Sequence, residues 1–176
     1  MKVDNDTWLQ KMNNLLNRRS SGVNDNRKCE PIISDYKRHL RSITLGKKIL
    51  DVGCGDQSIK GMLPFGKHYL GIDPFPISEG VIKMKIEDCD FIDQSFDTVL
   101  CFAVLDGCQD IEKATSQMKR IASDNVVFLT GVDIEPDEYH THKITKEELD
   151  KLMVPFQVRM RNFLSRNVML VEYSRK

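Results

Sequence analysis

From about Lys47 onward, short apolar runs alternate with amphipathic stretches, the pattern of a mostly parallel sheet with helical crossovers. KKILDV, ending at Val52, HYLGID at His68–Asp73 and the weaker VIKMK at Val81–Lys85 predict the first three strands. The fourth, FDTVLCFAV from Phe96 to Val104, is apolar enough to be buried on both faces, as a central parallel strand must be. The fifth is NVVFLTG, Asn125–Gly131. Between them, Ser58–Leu63 predicts a short helix. Asp110–Ile121 predicts a longer one, with Ile111, Ala114, Met118 and Ile121 on one stripe. Thr145 opens a third: T-K-E-E ahead of Leu149 and Leu152 is a capping box, and Pro155 stops the run.

The two ends of the chain differ from this middle. FQVRMRNF and NVMLVEY are strand-like runs parted by Leu164–Arg166, too short a gap for a crossover helix. They predict an antiparallel hairpin, with Phe156, Val158 and Met160 alternating against Gln157, Arg159 and Arg161. At the other end Trp8, Leu9, Met12, Leu15 and Leu16 form a helical stripe, followed by the polar run RRSSGVNDNRK, which predicts an exposed loop. A second helical segment, Ile32–Ile43, leads to Gly46. The expected organisation is one domain over 45–176 with a helical extension over 1–44. That extension either packs on the domain or acts as a lid over a ligand crevice.

Composition narrows the class. With 40% hydrophobic and 30% charged residues in 176, the chain can bury one core without staples, as a globular domain. Lys plus Arg and Asp plus Glu both number 26, so net charge gives no push toward nucleic acid or an anionic membrane. MKVDNDTWLQ has no apolar leader core, and no stretch approaches the ~18 apolar residues of a membrane span; the expectation is a cytoplasmic protein without a membrane partner. Cys29, Cys54, Cys89, Cys101 and Cys108 lack zinc spacing and are expected to be reduced structural thiols, with no metal bound.

The most informative segment is ILDVGCGDQS, Ile49–Ser58. An apolar strand runs into Gly53-Cys54-Gly55, where the missing Cβ atoms permit a tight turn and let backbone N–H groups approach a ligand. Asp51 sits just before, where a carboxylate suits a cationic ammonium and not a dinucleotide phosphate. Ser58 takes the place of the third glycine of G-x-G-x-x-G. Asp73 closes the second strand, where a carboxylate can accept hydrogen bonds from both hydroxyls of a ribose.

L-D-V-G-C-G followed by G-I-D-P resembles the cofactor motifs of class I S-adenosylmethionine-dependent methyltransferases. The stretch IEDCDFIDQSFDTVLCFAVLDG and the final THKITKEELDKL with its hairpin keep that family's order, so the likeness spans Leu45 to Tyr173. It implies a Rossmann-like α/β fold with a seven-stranded, mostly parallel sheet, an antiparallel last strand and helices on both faces. It also implies S-adenosylmethionine as cofactor. By the same likeness, Asp51, Gly53, Cys54 and Gly55 hold the methionine part, and Asp73 with Pro74 the ribose. Around adenine the family often has Asp-Ala-Glu, where this chain has Lys85-Ile86-Glu87. A lysine cannot accept a bond from the adenine amino group, so Glu87 or Asp88 takes that part beside the Ile86 backbone, and Phe102 completes the set.

The acceptor is less legible. Asp106, just after the fourth strand, is either a base or the cap of the following helix. His140 and His142 in DEYHTHK line or cover the crevice, or one of them serves as general base. Cys101 and Cys108 are expected in the core. No Asn/Asp-Pro-Pro-Tyr/Phe segment follows the fourth strand, against amino-group methylation of DNA bases. A small-molecule acceptor is expected. The rivals are an RNA methyltransferase using Arg18, Arg19, Arg27 and Lys28 with Arg159, Arg161, Arg166 and Arg175, a non-catalytic partner subunit of the same fold, and a nicotinamide-dependent oxidoreductase.

Overall fold

The computed structural model describes residues 1–21, 35–138 and 140–176. Its strands are β1 (Lys48–Val52), β2 (His68–Asp73), β3 (Ile82–Lys83), β4 (Phe96–Phe102), β5 (Ala122–Gly131), β6 (Gln157–Ser165) and β7 (Val168–Ser174). They form one sheet in the order β3-β2-β1-β4-β5-β7-β6. Strands β1 to β5 are mutually parallel, and β7 runs antiparallel to both β5 and β6. The helices are α1 (Asn5–Ser21), α2 (Tyr36–Ser42), α3 (Ile111–Ile121) and α4 (Lys146–Met153). The expected Rossmann-like sheet with a reversed last strand is the observed one. No helix among the described residues is long and apolar enough to cross a membrane.

Several expected boundaries move, for local reasons. Ser58–Leu63 is reduced to one 3₁₀ turn at Lys60–Met62, because Gly61 inside it and Pro64 after it give an α-helix too little room to nucleate. VIKMK contributes just two paired residues, since β3 is an exposed edge. β4 ends at Phe102 because Ala103 turns the chain with a φ of 57°. β5 starts at Ala122, directly out of α3. The exposed loop expected from Arg18 begins later, since α1 continues through Ser21, and its remainder lies outside the described residues. The start of the Ile32–Ile43 segment lies there too; α2 begins at Tyr36, capped by Asp35, whose side chain accepts from the Arg38 N–H. Thr145 and Glu148 form the expected capping box at the start of α4.

Alternate residues of the central strands enter two cores, one on each face of the sheet. Leu50, Val99, Val126, Phe128 and Val171 pack beneath Ile111, Met118 and Leu149 of α3 and α4. Ile49, Leu100, Val127, Leu129 and Leu170 face the other way, toward Leu40 of α2 and Ile59. The hairpin alternation expected from Phe156 to Arg161 is not a buried-against-exposed alternation. β6 is an edge strand, and register shifts between Val158 and Met160 and between Phe163 and Ser165 interrupt it. Val158 and Phe163 stay exposed, while Arg161 reaches Asp150 and the Tyr173 hydroxyl.

At the amino ends of β4 and β5, a buried polar cluster ties the sheet to the segment entering β1. Asn125 donates to the Glu172 carboxylate (2.9 Å) and to the Thr44 carbonyl (2.8 Å), and accepts from the Thr98 hydroxyl (2.7 Å). The Thr44 and Gly46 N–H groups donate back to Glu172 and Thr98. Burial of a carboxylate is costly unless its oxygens are bonded, and here both are. Asn125→Ala strips three partners at once, so it is expected to destabilise the fold by about 2–4 kcal/mol, read as a lower urea midpoint at unchanged slope.

Candidate functional site

The sequence of strands in the sheet reverses between β1 and β4, and their carboxyl ends open a crevice there. The loop leaving β1 is built for it. Gly53 and Gly55 have φ of 67° and 54°, left-handed values that a side chain disfavours. A Cβ added at Gly53 would lie 2.4 Å from Cγ2 of Val104, just beyond β4, so no other residue fits. The Gly53 and Cys54 N–H groups both donate to the Ile72 carbonyl, at 2.8 and 3.1 Å. Gly55 N–H donates to Asp73 Oδ2 (3.0 Å) and Phe75 N–H to Asp73 Oδ1 (2.8 Å). Gln57 also takes a left-handed φ of 61°, keeping a glycine-like turn without the glycine.

Two carboxylates stand at this turn in different states. Asp73 uses one lone pair on each oxygen for the loop's N–H groups, and a carboxylate has about four, so it can still accept from two hydroxyls. Asp51 is 2% exposed and accepts from the Tyr69 hydroxyl at 2.7 Å. Burial pushes its carboxyl up to about 7, against the downward pull of the Tyr69 hydrogen bond. Burial likewise pushes the neighbouring Cys54 thiol up to about 12, so that sulfur is packing and not a nucleophile. A Cβ at Gly71 would lie 2.6 Å from the Cys54 sulfur, so Gly71 is what lets this group close over Asp51. A cation placed beside a buried carboxyl favours its ionised form and offsets the cost of its burial. With the bare loop and Asp73 beside it, the donor set fits a molecule carrying an ammonium at one end and a ribose in the middle.

Beyond β3, the turn Ile86–Asp88 departs from expectation. Ile86 is buried beneath the turn. Glu87 is 5% exposed and accepts from the Gln109 N–H (2.8 Å) and the Asp110 N–H (3.3 Å), pinning the loop that opens α3. Asp88 pairs with Lys113 (2.9 Å) and Lys85 (3.3 Å), which hold its carboxyl below the usual range. Both acids proposed for the adenine contact are therefore engaged with protein groups. Pro74 is half-buried between Asp73 and Phe75 at the crevice. The Phe102 side chain instead packs into the core on the α2 face, 5.9 Å ring to ring from Tyr36.

The three acceptor-side candidates come together. The Asp106 carbonyl accepts from the N–H groups of Thr141 (2.9 Å) and His142 (3.1 Å), stitching the loop after β4 to the loop after β5. His140 Nε2 lies 3.6 Å from Asp106 Oδ2, and its Nδ1 lies 2.8 Å from Asp137 Oδ1. Asp106 does not cap α3: Asp110 does, by accepting from the Lys113 N–H. Thr141 Oγ1 and His142 Nε2 are buried without a hydrogen-bond partner among the described residues, and burial lowers the His142 pKa. Cys101 and Cys108 are buried in the core, which pushes both thiols up, as a packing role requires.

Helix α1 lies across these loops. Trp8 Nε1 donates to the Gly107 carbonyl (2.9 Å), and Lys11 donates to the carbonyls of Asp137 (2.6 Å) and His140 (2.8 Å). Tyr69, Lys11 and Asp137 escaped the sequence reading. A tyrosine inside a strand run and a lysine on a helix carry no motif, and their partners lie 18 and 126 residues away. Of the second basic cluster, Arg159, Arg161 and Arg175 lie away from the crevice. Arg161 binds Asp150, Arg159 lies 3.6 Å from Glu172, and Arg175 donates to the Lys119 and Ala122 carbonyls at the far end of the sheet. The side chains of Arg18, Arg19, Arg27 and Lys28 lie outside the described residues.

A family model described as a methyltransferase domain matches residues 50–130, the stretch from β1 through β5 that builds the crevice. No curated protein matches the chain in sequence. Among solved structures, the chain is similar to the 1,6-didemethyltoxoflavin N1-methyltransferase of Burkholderia thailandensis, determined with 1,6-didemethyltoxoflavin and S-adenosylhomocysteine. The TM-score is 0.71 at 12% identity, covering 100% of this chain and 92% of that one. It is similar also to the magnesium protoporphyrin IX methyltransferase of Synechocystis PCC 6803 (TM-score 0.69, 14% identity, 96% and 97% covered). A third is an S-adenosylmethionine-dependent methyltransferase of Aquifex aeolicus (0.66, 15%, 89% and 97%). At such identities these likenesses speak for the fold, and the model match speaks for the domain within it. Residues 50–130 thus carry a methyltransferase domain, and the chain has the Rossmann-like fold of S-adenosylmethionine-dependent methyltransferases.

Proposed function

We propose that the crevice holds S-adenosylmethionine, with Asp51 at its ammonium, the Gly53–Gly55 loop at the methionine and Asp73 and Pro74 at the ribose. The methyl acceptor is a small molecule bound between the loops after β4 and β5. The observation that carries this reading is the pair of carboxylates at the β1–β2 turn, one buried against the Tyr69 hydroxyl, the other anchored with lone pairs to spare. Bound there, the cofactor supplies a methyl group on a sulfonium for in-line displacement. The protein's share is placement and exclusion of water, which suits α1 as a lid.

Two of the similar structures are methyltransferases whose names carry small molecules, a toxoflavin precursor and a magnesium porphyrin. Arg159, Arg161 and Arg175, three of the basic residues an RNA acceptor would have used, are engaged with Glu172, Asp150 and backbone carbonyls, away from the crevice. The buried free thiols fit a reducing cytosol. Where the acceptor must lose a proton, His140 between Asp106 and Asp137 is the group placed to take it.

Calorimetric titration tests the cofactor. S-adenosylmethionine and S-adenosylhomocysteine should bind and NADH should not, with affinity lost in a folded Asp73→Ala variant. A well-folded wild-type protein that takes up neither ligand would leave the partner-subunit reading standing instead.

Asp51 gives a signed pH dependence. Its ionised form attracts the ammonium, so affinity for S-adenosylhomocysteine should fall by up to about tenfold per pH unit below about 7 and level off above it. For the empty protein the sign is opposite. The folded carboxyl sits above its ordinary 3.8, so its contribution is present at low pH and is lost as pH rises through about 7. Asp51→Asn should therefore stabilise the unliganded fold at pH 8 by on the order of 2 kcal/mol while flattening the pH profile of binding.

For the acceptor side, His140→Ala should lower kcat by roughly 100-fold while cofactor affinity stays within about twofold. Loss of both together would assign His140 to folding.

A further inference from the structure

Trp8 is the sole tryptophan of the chain and is 5% exposed. Three crevice loops meet on its ring. Beyond β2, the Phe75 ring lies 5.7 Å away, tilted by 30°. Beyond β3, the Lys85 ammonium sits 5.0 Å above the indole. Beyond β4, the Gly107 carbonyl takes the indole N–H. The Lys85 ammonium is itself fixed by the Gln109 side-chain oxygen at 3.0 Å and by Asp88 at 3.3 Å. Gln109 also receives the chain's start, because its carbonyl accepts from the Val3 N–H at 3.0 Å. So Lys85, where the family often carries an acid, is spent on an aromatic ring delivered by α1, and Glu87 is spent on the backbone of Gln109 and Asp110.

We propose that Trp8 is the outer wall of the adenine end of the crevice. Lys85 seats it there, and the base is recognised by ring contact and backbone without an acidic side chain on its amino group. The proposal rests on the cofactor reading above. Its physical logic is substitution of one interaction for another. A carboxylate reading the amino group discriminates steeply, because the analogue without that group leaves a buried acceptor unpaired. A ring wall discriminates weakly, since every purine presents the same face. A second consequence is mechanical. Trp8 is fixed at once to the loops after β2, β3 and β4, so closing α1 and completing the base pocket are one event.

The test needs no methyl acceptor. Titration with S-adenosylhomocysteine should change the emission of Trp8 saturably, at the affinity measured by calorimetry. The homocysteine analogue bearing purine riboside, which lacks the 6-amino group, should bind wild type within about threefold of S-adenosylhomocysteine. Lys85→Asp should open that ratio to tenfold or more. Trp8→Ala should weaken both ligands at least tenfold, and Trp8→Phe should restore most of the loss. Circular dichroism confirms that each variant is folded, and the wild-type ratio stands even where Trp8→Ala is not. Calorimetric binding with unchanged Trp8 emission, or rejection of the analogue by wild type more than tenfold, overturns the proposal. Failure of wild type to bind S-adenosylhomocysteine at all removes the cofactor reading and this one with it. Binding that is intact but blind to Trp8 removes this one alone.

Discussion

The fold depends on how four backbone N–H groups at the end of β1 and β2 find acceptors. Gly53 and Cys54 share the Ile72 carbonyl, and Gly55 and Phe75 take the two oxygens of Asp73. Buried N–H groups left unpaired cost too much to persist, so this turn must close on its neighbour strand in one way. That single arrangement fixes Gly53 against Val104, hence β1 beside β4, and places the strand reversal where the crevice opens. Positive φ makes the turn tight; it costs Gly53 and Gly55 little, so the local strain falls on Gln57. The same carboxylate that organises the loop retains unused lone pairs.

The two ends of the sheet divide the work. At the amino ends, Thr98, Asn125 and Glu172 are satisfied on every side by one another and by the chain at Thr44 and Gly46. A network this complete rigidifies the sheet. At the carboxyl ends the polar groups are less settled. Asp51 is pushed up to about 7 by burial, and Thr141 and His142 each bury a polar atom without a partner among the described residues. Uncompensated polarity inside a well-packed protein is tolerated where a ligand completes it.

This contrast explains what the sequence could and could not reveal. Strand runs, the capping box at Thr145 and the final hairpin were legible because they follow from local periodicity and capping chemistry. The turn at Gly53 and Gly55 was legible because a left-handed backbone and a carboxylate that pairs its N–H groups impose residue types at fixed spacing. The partners of Glu87 were not legible, because a carboxylate near a crevice looks the same whether it faces a ligand or the amides of Gln109 and Asp110, and 22 residues separate it from Gln109. The packing of Phe102 toward α2 and Tyr36 follows from strand alternation, while a strand-end position alone gives no direction. Ser58–Leu63 showed too little context to tell a helix from a single turn.

Lys85 stands where the resemblance leads one to expect an acid. In the structure it is the residue through which the N-terminal helix is coupled to the crevice, bridging Trp8, Gln109 and Asp88. An ammonium over an indole is worth more where water is excluded, and Trp8 is buried where Lys85 meets it. The proposed exchange of an acid's hydrogen bond for a ring contact therefore draws its strength from dryness. Desolvation is also what a sulfonium donor requires of its surroundings.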